Sequence, residues 1–281
     1  MKKKGLLFME QKEGEEKRIY ARKDAKEEEE EEVKEPAKKR SRKEESSSED
    51  SDEESYLDMN SGAAEEELQV DFDFFNQEEE DRWPVEAFVR ALLAGCVGKS
   101  RAEMISEPVT MAILKADVGS VIKSEGYKEA LGVICAVRLD EIAKSDAGKA
   151  VIAAAKVRDE DVEKTALLVS ERIINMPVIK LAPAMHRLLW KEIGETEFKA
   201  EQFVLVVPFD VPKGGKEREY IRQEEEIFVK HASSAVELPP RSEESEKLTM
   251  TTTVSRAAVA CIIPRAKMPT IIKEITAMYD F

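Results

Sequence analysis

Thr165-Ala-Leu-Leu-Val-Ser-Glu-Arg-Ile-Ile-Asn175, then Met176-Pro177, then Val178-Ile-Lys-Leu-Ala-Pro-Ala-Met-His-Arg-Leu-Leu-Trp190, sets the architecture of this chain. The first stretch is an apolar run stopped by Pro177, which reads as a strand. Val178, Leu181, Ala182, Met185 and Leu189 follow at helical spacing, with Pro183 inside the stripe as a start or a kink. A strand running straight into an amphipathic helix is the repeating unit of α/β folds.

The same alternation continues on both sides. Towards the C-terminus, Phe203 to Val207 and Ile227 to Val236 read as strands around a polar loop, Val211 to Arg218. Arg256 to Ile263 reads as a further strand, and Ile271, Ile272, Ile275, Met278 and Tyr279 mark a last helix. Towards the N-terminus come an Ala-rich helix, Ala147 to Val157, and a buried strand, Ala130 to Leu139. Gly119 to Lys123 is a short strand or turn, and Ser100 to Leu114 is helical with a break near Pro108. A helix opens at Trp83-Pro84 with Val85, Phe88, Val89 and Leu92 on one face, Pro being tolerated in a first turn. Before it, Leu68, Val70, Phe72 and Phe74 alternate with polar residues as in a half-buried strand. The expected fold is a mixed α/β sheet flanked by helices over residues 68–281.

Residues 1–67 differ in kind. They are charged, Ser-rich or small, and bury too little apolar surface to offset chain entropy, so a disordered tail is expected. Residues 44–81 carry seventeen Asp or Glu and no Lys or Arg. Residues 1–43 carry 15 basic and 12 acidic side chains, and residues 82–281 carry 29 and 30, so this tract accounts for the net charge of −15. Such an arm repels nucleic acid and attracts basic proteins, through a field that salt screens over about 10 Å. A basic protein client is therefore expected, and no direct nucleic-acid partner. No run of 18 apolar residues exists, so no membrane span is expected, and Leu6 to Met9 is too short for a signal peptide. Cys96, Cys135 and Cys261 lie far apart in apolar contexts, which fits reduced, buried thiols.

Lys38, Lys39, Arg40, Arg42 and Lys43, following Pro36, match a nuclear localisation signal that an importin would read from an extended tail. Ser46, Ser47, Ser51 and Ser55 each precede an acidic residue by three positions, the pattern of an acid-directed kinase site. Gly95-Cys96-Val97-Gly98-Lys99-Ser100 resembles a phosphate loop only in part. Leu93 stands where the first glycine is required and a helix precedes it, so a glycine helix cap is the better reading. His186 and His231 have no Cys or carboxylate at metal-ligand spacing and no nucleophile nearby, which makes structural roles the expectation. No catalytic residue, cofactor site or metal site is assigned. Glu171, Arg172 and Asn175 are polar groups in an apolar strand. They are expected to form buried ion pairs and hydrogen bonds that fix the strand to the following helix, or else to touch a partner.

Val70-Asp71-Phe72-Asp73-Phe74-Phe75, Val118-Gly119-Ser120-Val121-Ile122-Lys123 and above all Leu167-Leu-Val-Ser-Glu171-Arg172-Ile-Ile-Asn175-Met-Pro177 resemble the BCCIP family of eukaryotic nuclear proteins. Phe203 to Pro208 and Glu224-Glu225-Glu226-Ile227-Phe228 fit the same order. The resemblance implies a fold similar to the GNAT acetyltransferases without their activity. It also implies a nuclear binding or chaperone protein linked to large-subunit ribosome assembly, nuclear export and a basic ribosomal protein. The residues supply a separate argument against catalysis. A CoA pyrophosphate needs a glycine-rich loop leading into a helix N-terminus, and the strand Thr165 to Asn175 runs into Met176-Pro177-Val178 instead. The expectation is a non-enzymatic nuclear escort for a basic ribosomal protein, shuttling to the cytoplasm. Two other readings stand beside it, a CoA-dependent acetyltransferase and a general acidic histone chaperone.

Overall fold

The structure, a computed structural model, describes residues 71–280 except 125, 175, 213–217 and 239–253. The tail expected to be disordered, the basic run expected to be a nuclear signal, the four serines, Leu68 to Val70 and Asn175 all lie outside the described residues.

The described elements run β1 (Phe72–Phe75), α1 (Arg82–Val97), α2 (Lys99–Ile105), α3 (Glu107–Lys115), β2 (Gly119–Ser124), β3 (Gly132–Arg138), α4 (Leu139–Ile142) and α5 (Asp146–Ala155). They continue with β4 (Thr165–Arg172), α6 (Val178–Glu195), β5 (Gln202–Pro212), β6 (Glu219–Tyr220), α7 (Glu224–His231), β7 (Ser234–Leu238), β8 (Val254–Pro264) and α8 (Met268–Tyr279). One sheet holds the strands in the order β1-β2-β3-β4-β5-β8-β7, with β6 paired to β5.

Neighbouring strands are antiparallel with one exception among the described residues. β4 and β5 pair in parallel through Thr165, Ala166 and Leu167 against Gln202, Phe203 and Val204. A parallel pair requires a crossover, and α6 supplies it. The ladder stops at Leu167 and Val204, while β5 stays paired to β8 along its whole length and takes up β6 at Phe209 and Asp210. The parallel strands therefore part company towards their carboxyl ends. In open α/β sheets that is where ligands tend to enter.

Helices cover both faces, because alternate strand residues are apolar on both. Leu168, Phe203, Leu205, Val259 and Cys261 pack with Met185, Leu189, Phe228, Ile271 and Ile275 of α6, α7 and α8. Leu167, Val169, Val204, Val206 and Ala260 pack with Val85, Val89, Leu92, Ile113 and Val151 of α1, α3 and α5. All eight residues of β4 are buried, as a central strand sandwiched between two helical layers must be. Each such Leu, Val, Ile or Phe contributes roughly 1.5–3 kcal/mol by leaving water.

Several sequence expectations change. Ile227 to Val236 is not a strand: Glu224–His231 is helix α7, and only Ser234–Leu238 is extended. Three glutamates open α7, and Lys230 and His231 close it, which suits the helix dipole. β4 ends at Arg172, short of Asn175. Of the two readings of Pro183, a start or a kink, the start does not hold, for α6 runs through it from Val178 to Glu195. Gly119 to Lys123 is a strand, and α4 was not anticipated. Gly98, at φ +85°, caps α1 and donates its N–H to the Ala94 carbonyl at 2.8 Å, as the glycine-cap reading expects.

Candidate functional site

Where β4 leaves β5, the strand turns polar: Ser170-Glu171-Arg172. Successive side chains point to opposite faces of the sheet, so Glu171 shares the α1 side with Val169, and Arg172 shares the other side with Leu168. The turn into α7 answers both. Arg222 donates Nη1 and Nη2 to the two Glu171 oxygens at 2.8 and 2.9 Å, and its Nε donates to Glu225 Oε1 at 2.8 Å. Arg172 donates Nη1 to Glu224, and the Tyr279 hydroxyl of α8 donates to Glu224 Oε2 at 2.9 Å. All five charged residues are buried. The cluster thus joins β4, α7 and α8.

Its charge count is uneven: three carboxylates face two guanidiniums. Buried charges persist only when paired, so the odd carboxylate is the one expected to take a proton. Glu225 fits that role. Its Oε2 is buried without a hydrogen bond, and burial pushes its carboxyl up to about 8 against the pull of Arg222. Burial works against Glu224 too, but there the hydrogen bond and charge of Arg172 outweigh it and hold the carboxyl below its usual range. The phenol of Tyr279 is raised by burial and by Glu224 beside it. His186 packs its ring 5.1 Å from Phe228, and burial lowers it to about 4, leaving a neutral imidazole.

Against this cluster lies a cleft of about 570 Å³ between α1 and the carboxyl ends of β4 and β5. Its walls include Phe88 and Ala91 of α1, Ile174, Pro208 and Ile221, together with residues Glu171, Arg172 and Arg222. Three more cations border it from outside the cluster, Arg90, Lys99 and Arg256. Arg90 donates to Glu86 at 2.7 Å, and Arg256 donates Nε to Asp210 at 3.0 Å.

Of the residues singled out by sequence, Glu171 and Arg172 do form buried ion pairs, but not with the helix that follows β4. Their partners come from about fifty positions downstream, so they fix β4 to α7. Pro177 lies apart from them, exposed at the N-cap of α6. Arg222, Glu224, Glu225 and Tyr279 escaped the sequence reading. The one signal available was a Glu-Glu-Glu run next to the apolar Ile227-Phe228. His231 sits 2.8 Å from Glu274 on the surface. The three cysteines are buried and form no disulfide among the described residues, with the Cys261 thiol pushed up to about 12 by burial. No helix among the described residues is long and apolar enough to cross a membrane.

The molecule is a mixed α/β sheet sandwiched between helices, with a charged plug where its parallel strands diverge. The sequence profile of the BCCIP family matches residues 67–232, and the chain belongs to that family. The crystal structure of BCP1 from Saccharomyces cerevisiae is similar to it at a TM-score of 0.53 and 18% identity, covering 78% of this chain and 92% of that one. At that identity the likeness speaks for the fold alone. A putative acetyltransferase of the GNAT family from Desulfovibrio desulfuricans matches at 9% identity over 70% of this chain and 99% of its own, with a TM-score of 0.28 that supports no argument. No curated protein shows a significant match.

Proposed function

We propose that this protein is a non-enzymatic nuclear chaperone or adaptor for a basic client, a large-subunit ribosomal protein, in ribosome assembly and nuclear export. The observation that carries the reading is the charge partition: seventeen acidic and no basic residues in 44–81, beside a nearly neutral remainder, in a chain of the BCCIP family. The acidic arm stands in for the polyanion that the client finally binds, and so delays aggregation and premature RNA contact. Lys38 to Lys43 give an importin its handle, and Ser46, Ser47, Ser51 and Ser55 let a kinase deepen the field. The buried Glu171–Arg222 pair supports a non-catalytic core, because the groups at the carboxyl ends of the parallel strands are already committed to one another.

Steering by such an arm makes association fast and salt-sensitive. Affinity for a purified basic ribosomal protein should fall at least about tenfold between low and physiological salt, and deletion of residues 44–67 should remove most of that slope. An affinity indifferent to salt overturns the electrostatic reading. Calorimetry with acetyl-CoA addresses the enzymatic alternative, where saturable heat would favour an acetyltransferase. Equal competition by histones would favour the general histone chaperone.

A further inference from the structure

The residues that line the cleft beside α1 include more cations than carboxylates, and most of the carboxylates paired with those cations are not among them. Arg90, Lys99, Arg172, Arg222 and Arg256 contribute to its wall, against Glu103 and Glu171. Glu86, Asp210, Glu224 and Glu225, which neutralise four of those five cations, are not part of the wall. The wall is therefore cation-rich, although the surroundings are close to neutral as a whole. One donor there is unused: among the described residues the Nε of Arg90 is buried with no partner. Buried donors are nearly always paired in folded proteins, so such a group beside the cavity points to a missing acceptor.

The remaining walls describe that acceptor's carrier. Ala87, Ala91 and Ala94 give α1 a flat, small-residue face, and Phe88, Ile221 and the 82% exposed Ile174 add apolar contacts. On the β5 side, among the described residues, β4 has no strand partner after Leu167. An extended chain can hydrogen-bond to such an edge while its side chains reach alternate walls. A CoA-type pyrophosphate seated on a helix N-terminus would call for the N–H groups of a glycine-rich turn, and after β4 the sequence reads Ile173-Ile174-Asn175-Met176-Pro177.

We propose that this cleft binds an extended acidic peptide segment of a partner protein, whose carboxylates meet Arg90, Arg256 and Lys99 and whose apolar side chains lie on the small-residue face of α1. The charge preference is opposite to that of a basic client. The site therefore serves a second partner, and does not depend on the chaperone reading.

The test uses the full chain and labelled peptides of about eight residues, long enough to cross the open edge. One alternates Glu and Leu, and its counterparts carry Gln or Lys in place of Glu. The Glu/Leu peptide should bind saturably, at least about tenfold tighter than the Gln/Leu peptide, with the Lys/Leu peptide weakest. Ala91→Trp, a substitution at an exposed position that fills the cleft, should abolish binding. Lys99→Glu should weaken it about tenfold. Both variants should melt within a few degrees of the parent chain, which separates a blocked site from a lost fold. Absence of saturable binding at millimolar peptide overturns the proposal. So does equal binding of the Lys/Leu peptide, unchanged binding in a folded Ala91→Trp chain, or displacement of the peptide by pyrophosphate or CoA at lower concentration than by unlabelled peptide.

Discussion

Glu225 is the third carboxylate against two guanidiniums, and its protonation ties stability to pH. Burial raises it to about 8, whereas an unfolded glutamate titrates near 4.5. Between those values the native state holds a proton that the unfolded chain releases, so stability declines as pH rises. His186 acts in the opposite sense. It titrates at about 4 when folded and near 6.5 when unfolded, so between those values the unfolded state binds the extra proton and stability increases with pH. The two slopes offset each other in acid, and that of Glu225 persists from pH 6.5 to 8; burial raises the Glu171 carboxyl too, which adds a slope of the same sign. The urea-unfolding free energy should therefore fall over that window, with Glu225 contributing at most about 1.4 kcal/mol per pH unit. Glu225→Gln should flatten the slope and leave the variant more stable than the parent at pH 8. An unchanged slope in Glu225→Gln would show that Glu225 does not carry the proton.

Elements are fixed by contacts that no local pattern shows, and Gly148 is a case. Ser145 caps α5 by accepting the Gly148 N–H at 3.0 Å, and a Cβ at position 148 would stand 2.0 Å from the Ile142 carbonyl oxygen at the end of α4. Gly148→Ala must force α4 and α5 apart, at a cost on the order of 3 kcal/mol. That lowers Tm by roughly 6–12 °C for a folded region of this size. Gly194, with nothing within 4 Å of its would-be Cβ inside α6, is the control: Gly194→Ala should hold or slightly raise Tm. A Gly148→Ala chain that melts with the parent would refute the close junction. The same reasoning explains which elements could be read in advance. β4 and α6 are long, strongly patterned and separated by Pro177, and their type follows from periodicity. α7 is two turns long, and its Ile227-Phe228-Val229 run suits either a strand or a helix. The clearer indication was charge, with glutamates first and Lys230 and His231 last. The site was legible only by half. Glu171 and Arg172 stand out as charges inside an apolar strand, but nothing local reveals that Arg222, Glu224 and Tyr279 would close on them.

The sheet extends beyond the family match, which ends at residue 232. β8 lies beyond that limit and pairs with β5 along its length, from Gln202 opposite Pro264 to Pro212 opposite Val254. α8 lies beyond it too, and buries Met268, Ile271, Ile272, Ile275 and Tyr279 on the sheet while Tyr279 reaches Glu224 in the charged cluster. Five such side chains are worth on the order of 10 kcal/mol at 1.5–3 kcal/mol each, which is comparable to the entire stability of an ordinary domain. A chain cut after residue 232 would expose the long edge of β5, strip α6 and α7 of their neighbour, and leave Glu224 with one hydrogen-bond partner fewer. Exposed apolar edges of that kind pair with other chains. Residues 67–232 expressed alone should be insoluble, or else lack a cooperative melt and the near-ultraviolet dichroism of a packed core. Residues 68–281 should melt in one transition. A soluble fragment 67–232 with a sharp melt would show that β8 and α8 are accessories, and that the sheet is held by β1 to β5 alone.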